Sequence, residues 1–544
     1  MRSAVDTDTP GRAVRDEHQP RAPGVVPSPE SAVSWKEWRA VICWTLLAFL
    51  LRLCLICCVA QVITPDGVGY VTLARSLAAG DFRAGFSTYW SPLYPLLVAA
   101  ASLLFRDAEF AGRFVSVVAG ALLVVPSYRL IRVWYGTRAA RLAACLAALH
   151  PLLIYYSSAL LTESTYTLLF TSGVLAGWSA LATGRARAHL LAGATFGACY
   201  LLKPEAAGFL PLLLAAVVGQ NFFTGTSRLQ TTARNALLLC AGFMLLAAPY
   251  LFYLRHETGA WTLSGKLAGH LWQGSRLAGG DLAPPPPASN FTTVVVRLAK
   301  ALRFEYELLN LIFPPPFVLL AGLCLFRRRW TRARAWRELY LFSFVAATLA
   351  GYAVTLPNIR FLVPLLPLGF GWVARGVVEF ADWAGETLTR LKGAAGFRPA
   401  VRSLSAPLAV ACLLASLVPL FVYLLRGDKW DDYDGQKRAA AWIKEHDPTR
   451  APVVMSTVPV TSFYAGGRDV RLVDEDYAAL ISRARREGVG YVVVNERDFR
   501  YMSLRPLLDE QSPHPGLRPV YDLADSPEHR IVVYAVEPTA PGAP

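Results

Sequence analysis

Residues 41–62 read VICWTLLAFLLRLCLICCVAQV, and Ile63-Thr64-Pro65-Asp66-Gly67 follows at once. At about 1.5 Å per helical residue, a run of this length covers the ~30 Å hydrocarbon core of a bilayer. The stretch therefore predicts a first transmembrane helix over Val41–Val62, with a carboxylate just beyond its end. Similar runs recur at Glu109–Val133, Ala139–Tyr155, Glu163–Ala182, His189–Leu202, Glu205–Phe222 and Asn235–Leu254. Four more follow at Leu308–Phe326, Glu338–Leu356, Phe361–Val378 and Ser405–Leu425. The expected fold is a polytopic all-α membrane protein with about 11 transmembrane helices.

Composition agrees. The chain is 54% hydrophobic and only 17% charged, with a mean hydropathy of +0.36, a balance that excludes an ordinary soluble globule. The net charge of +15 comes from arginines lying between apolar runs, where anionic headgroups are the natural partner; nucleic acid is excluded. The cysteines fall in or beside apolar spans, and Cys54, Cys57 and Cys58 have no neighbouring histidine, so they read as small buried hydrophobes.

Charge also sets orientation. A cytoplasmic N-terminus puts Arg129, Arg132, Arg138 and Arg141, then Arg185 and Arg187, then Arg228 and Arg234 on the inner side. It does the same for Arg327–Arg337 and for Arg390, Lys392, Arg398 and Arg402. This is the positive-inside bias, and it leaves the C-terminus extracytoplasmic in a bacterial inner membrane. Three domains are expected: a disordered cytoplasmic extension over 1–38, a membrane domain over 39–425, and an extracytoplasmic α/β domain over 426–544. In the last, Gly435–His446 and Asp476–Glu487 read as helices, and Pro452–Met455, Tyr491–Val494 and Ile531–Val536 as strands.

Two other outer stretches remain. Thr64–Arg106 reads as two interfacial helices, the second partly sunk in lipid. Arg255–Leu302 carries Lys266, His270 and Arg276 and is broken by Pro284–Pro287.

Charges beside lipid are informative because burying them unpaired is expensive. Asp66, Glu163, Lys203, Glu205 and Arg360 all map to the outer ends of apolar runs. Pro65 is expected to stop the first helix, presenting Asp66 on a loop. Plainer roles fit too: Asp66 and Glu163 suit helix N-termini, Lys203 and Glu205 a mutual pair, and Arg360 a headgroup anchor. Lys266, His270 and Arg276 also suit ordinary loop charges, and Tyr89-Trp90 an aromatic belt.

On four features the chain resembles the GT-C superfamily of polyprenyl-phosphate-sugar-dependent glycosyltransferases, near the bacterial protein O-mannosyltransferases and aminoarabinose lipid A transferases. They are Asp66-x-x-x-Tyr70-x-x-x-Ala74; Ser91-Pro92-Leu93-Tyr94-Pro95; Thr162-Glu163 with Lys203-Pro204-Glu205; and Arg360-Phe361-x-x-Pro364-x-x-Pro367. The resemblance implies transfer of a sugar from a polyprenyl phosphate, such as undecaprenyl phosphate, to an acceptor hydroxyl at the extracytoplasmic face with inversion. It implies Asp66 as general base, with Lys203, Arg360, Lys266 and Arg276 on the donor phosphate. Glu163, Glu205, Tyr70, Tyr89, Trp90 and His270 are expected around the sugar or acceptor, a glycolipid, protein or polysaccharide. Many relatives carry paired acids where this chain has Asp66-Gly67, so a divalent cation is not required. The alternatives are a transporter or flippase of lipid-linked substrates, which needs ionisable groups near mid-bilayer, and a glycan polymerase or ligase.

Overall fold

The computed structural model describes residues 33–59, 61–224, 229–266, 291–327, 329–354, 358–392, 398–425, 433–496, 504–509, 514–524 and 530–537. The first helix, α1 (Trp35–Cys58), starts at a capping box: Ser34 Oγ accepts the Glu37 N–H and the Glu37 carboxylate accepts the Ser34 N–H. It exposes Ile42, Leu46 and Leu50, as a lipid-facing helix does. Three helices fill the first outer stretch: α2 (Pro65–Ala78), the short α3 (Phe82–Gly85) and α4 (Leu93–Ser102). Then come α5 (Ala108–Leu122), α6 (Val124–Leu149), α7 (Pro151–Ser158), α8 (Glu163–Thr183), α9 (Ala186–Tyr200), α10 (Phe209–Thr224) and α11 (Leu229–Thr258).

The protein is a polytopic, predominantly helical membrane protein with several long apolar helices. Among the described residues, 5 helices are long and apolar enough to cross a membrane, or 6 if one bent pair is counted as a span. The expectation of about 11 is not reached by that measure. Several expected spans are short, such as α9 and α10 with 15 and 16 residues. The single span expected over Leu308–Phe326 is broken instead. Leu298–Ile312, the end of the helix Phe291–Ile312, and Pro315–Phe326 meet at 93°, because Pro314 is extended and cannot continue the first helix. Inside α6 the chain reverses at Gly136, whose φ of 84° suits glycine.

The arginine-rich segments share one end of the bundle. Arg132 and Thr137 bond Glu37 at the start of α1, and Arg337 donates to the Trp134 carbonyl. Trp336 stacks on Phe223, Asn221 donates to Thr232, and Arg234 donates to the Gly184 carbonyl. Asp66, Glu163, Lys203 and Arg360 stand at the other end of the same helices.

The C-terminal domain is a five-stranded mixed sheet, β1 (Val453–Ser456), β2 (Arg468–Arg471), β3 (Tyr491–Asn495), β4 (Leu517–Ala524) and β5 (Arg530–Val536), in the order β2-β1-β3-β5-β4. β1 pairs in parallel with β2 and β3, while β5 is antiparallel to β3 and β4. Three of these strands and both expected helices lie where the sequence put them. The helix Val460–Ala465 was not expected, and it seats this domain against α2: Val460 is fully buried in one apolar cluster with Ile63, Val68 and Tyr70.

Candidate functional site

Asp66 does not sit on a loop. Pro65 occupies the first turn of α2 and Thr64 caps it, its Oγ1 accepting the Gly67 N–H at 3.2 Å. Proline is tolerated there because its missing N–H would be free anyway. The carboxylate thus projects from a helix start, where backbone N–H groups favour negative charge. A Cβ on Gly67 would lie 2.7 Å from Ile63 Cγ1 and 3.1 Å from the Leu160 carbonyl. That close approach brings the start of α2 beside the start of α8, where Glu163 stands.

Arg360 arrives from the opposite end of the chain. Asn358 caps a short helix, Ile359–Leu362, by accepting the Arg360 N–H at 3.1 Å. The guanidinium donates from Nη1 to Asp66 Oδ2 at 2.8 Å, and its Nε lies 3.9 Å from Glu163 Oε1. Asp66 and Arg360 remain 30% and 23% exposed, so a ligand can reach both.

Lys203 is deeper. Its ammonium donates to Glu163 Oε1 at 3.1 Å, with side chains 8% and 3% exposed. It also lies 5.4 Å from the Tyr166 ring and 4.9 Å from the Phe361 ring. Lys203 thus pairs with Glu163 and not with Glu205, which is exposed. Sequence reading missed Tyr166, although it stands three residues after Glu163 and therefore on the same helix face.

Lys266 closes a third side. The Gly265 N–H donates to the Thr88 carbonyl at 3.0 Å, tying the second outer stretch to the first. The Lys266 ammonium lies 3.6 Å from the Trp90 ring centre and 4.3 Å from that of Tyr89, close cation–π contacts. Trp90 packs on α2 where Gly69 has no side chain; a Cβ there would stand 2.7 Å from the indole nitrogen. Tyr70 is buried beneath, edge-on to Trp90 and Tyr94, each at 5.0 Å. It is part of the floor of this block, whereas Tyr89 is exposed.

The electrostatics follow from this packing. Burial alone would raise the Asp66 carboxyl, but Arg360, Lys266 and Lys203 outweigh it and hold the group below its usual range. Burial pushes Lys266 down to about 8, opposed by the carboxylates of Asp66 and Glu205. Tyr70 is pushed well up, chiefly by burial and then by Asp66. Eight expected residues converge here: Asp66, Tyr70, Glu163, Lys203, Arg360, Lys266, Tyr89 and Trp90. Glu205 stands at the edge, near enough for its charge to act on Lys266. His270 and Arg276 lie outside the described residues. Among the described residues no three His, Cys, Asp or Glu side chains gather to hold a metal.

A partly buried acid and guanidinium, a desolvated lysine and an aromatic wall together suit an anion attached to a ring. Residues 90–253 match the family described as dolichyl-phosphate-mannose-protein mannosyltransferase. The structure superposes on ArnT from Cupriavidus metallidurans in the apo state with a TM-score of 0.58 at 14% identity, covering 92% of this chain and 98% of that one. The chain shares the fold of ArnT. ArnT bound to undecaprenyl phosphate gives 0.55 at the same identity and coverage. The oligosaccharyltransferase AglB from Archaeoglobus fulgidus, in complex with an inhibitory peptide and a dolichol-phosphate, gives 0.54 at 14% identity, over 85% of this chain and 70% of that one. No curated protein sequence matches the chain.

Proposed function

We propose that the protein is a membrane glycosyltransferase that moves a sugar from a polyprenyl-phosphate donor, of the undecaprenyl-phosphate kind, to an acceptor hydroxyl at the extracytoplasmic face. The observation that carries this reading is the 2.8 Å pair of Asp66 and Arg360, base and anion-binding group in contact and both open to a ligand.

In the proposed reaction the acceptor oxygen attacks the anomeric carbon from the face opposite the phosphate. The new carbon–oxygen bond forms as the bond to the phosphate oxygen breaks, so configuration inverts. The acceptor proton passes to Asp66, and the polyprenyl phosphate leaves with the electron pair. An Asp near pKa ~4 is a weak base, but the hydroxyl acidifies as the oxocarbenium-like transition state develops. Arg360 and Lys266 are the cations positioned to hold the leaving phosphate, with Arg276 the further candidate. Lys203, expected from the sequence to join them, is better suited to bracing Glu163, which in turn faces Arg360. Tyr89 and Trp90 suit the sugar face, while Glu205 and His270 remain candidates for orienting sugar or acceptor.

Asp66, Glu163, Lys203 and Arg360 gather at the end of the bundle opposite the arginine-rich segments. That distribution favours transfer at one face over transport through the middle. It also supports a cytoplasmic N-terminus, an extracytoplasmic tail and a bacterial inner-membrane location, with the membrane part over 39–425 as the catalytic domain. The test is purified protein with radiolabelled undecaprenyl-phosphate sugars and a membrane extract. Wild type is expected to label an acceptor and Asp66→Asn to lose about 100-fold or more, the usual worth of a general base. Full activity in Asp66→Asn overturns the reading.

A further inference from the structure

Asp66 is reached from α1 through the short link Gln61–Thr64, and this link is held from outside. The Arg113 guanidinium donates to the Gln61 carbonyl at 2.5 Å and to Glu109 at 2.7 Å. Two residues on, the Ile63 N–H donates to the Tyr464 hydroxyl at 3.0 Å, and that hydroxyl donates to Glu109 Oε1 at 3.2 Å. Tyr464 belongs to the C-terminal domain, 401 residues away from Ile63. One carboxylate therefore joins two grips on the link, one from α5 and one from the tail.

The contact is built, not glancing. Ile63 is 1% exposed and Val460, on the same tail helix as Tyr464, is fully buried. Beside Tyr464, Phe463 lies 5.0 Å under the Arg75 guanidinium on α2. Pro65 has no N–H, so the Ile63 and Thr64 peptides are the last that can index the start of α2 before Asp66. A hydroxyl bonded on both sides fixes one of them in place.

We propose that Tyr464 is a positioning residue for Asp66: the docked tail, acting through the Ile63 N–H, sets where the carboxylate stands. The inference rests on the reading of Asp66 as the acceptor's base. It gives the tail a part in transfer without requiring it to touch donor or acceptor. A shift of about 1 Å at a reacting group is enough to change rates by up to ~100-fold.

The test is Tyr464→Phe in the full chain, which removes both hydrogen bonds and keeps the ring against Phe463 and Lys437. Hydrogen exchange in peptides covering 61–66 is expected to quicken. Turnover of radiolabelled undecaprenyl-phosphate sugar is expected to fall about tenfold, with affinity for undecaprenyl phosphate within about twofold of wild type. Glu109→Gln, which weakens Arg113's hold at the other grip, is expected to give the same split and serves if Tyr464→Phe does not accumulate. The double variant is expected to be no worse than the poorer single one, because both act through one linkage. Wild-type turnover in Tyr464→Phe beside an inactive Asp66→Asn overturns the inference alone. Equal losses of turnover and affinity overturn it too, since general loosening does that. Full turnover in Asp66→Asn removes the underlying reading instead.

Discussion

Arg360 and Asp66 are 294 residues apart in the chain, and their side chains meet at 2.8 Å. In the proposed reaction an arriving phosphate competes with Asp66 for the guanidinium. Donor binding and release of the carboxylate as a base are thereby linked in the proposed reaction: the anion that draws Arg360 away removes the main charge holding the Asp66 carboxyl down.

That linkage predicts the shape of the pH profile. In the free enzyme Arg360, Lys266 and Lys203 hold the Asp66 carboxyl down, so the acid limb of kcat/KM is expected at lower pH than an unpaired carboxylate would give. Activity is present above that limb and lost as pH drops through it. The alkaline limb is expected near pH 8, where Lys266 loses its proton. Lys266→Arg keeps the charge to far higher pH, so its alkaline limb is expected to move up by more than about one unit. An unmoved limb separates Lys266 from donor handling.

Lys203→Ala is expected to damage the fold more than the chemistry. It leaves Glu163, 3% exposed, without its 3.1 Å partner. Stranding one member of a buried pair costs about 3–5 kcal/mol. Thermal unfolding in detergent should show the loss, and Lys203→Met combined with Glu163→Gln should recover much of it. A Lys203→Ala variant that melts like wild type but binds undecaprenyl phosphate poorly would return Lys203 to the phosphate.

Gly69→Ala tests the aromatic wall. The added Cβ meets the Trp90 indole at 2.7 Å and must push the ring, with Lys266 resting on it, off α2. Overpacking of this kind costs about 1–3 kcal/mol. Affinity for undecaprenyl phosphate is expected to drop several-fold with little change in Asp66 titration, read by binding and by the acid limb together.

The outline of this site was legible because charge is scarce in so apolar a chain. Asp66, Glu163, Lys203 and Arg360 each end an apolar run, and lipid makes such positions meaningful. Their partners were not legible. Lys203 beside Glu205 in sequence suggests a local pair, yet the start of α8 packs nearer and takes the ammonium. Lys266 owes its place to Gly69 and Trp90 on another element, and Tyr464 acts across 401 residues. In the tail, β1, β3 and β5 read as strands because they are apolar. β2 is exposed at three of its four residues, and β4 carries Pro519 and a register shift. Both lie at sheet edges, where polar residues and irregularity keep sheets from pairing further and erase the pattern that marks a strand. Helix breaks at Pro314 and Pro151 likewise divided runs that hydropathy alone joins.

The central claim is that a lipid phosphate binds at the Asp66–Arg360 pair. Electron cryomicroscopy of the full chain with undecaprenyl phosphate tests it most directly. The phosphate is predicted within hydrogen-bond reach of Arg360 and Lys266, with Asp66 beside it and no longer closed on the guanidinium. A phosphate held at the arginine-rich end, with Arg360 still bonded to Asp66, contradicts the account.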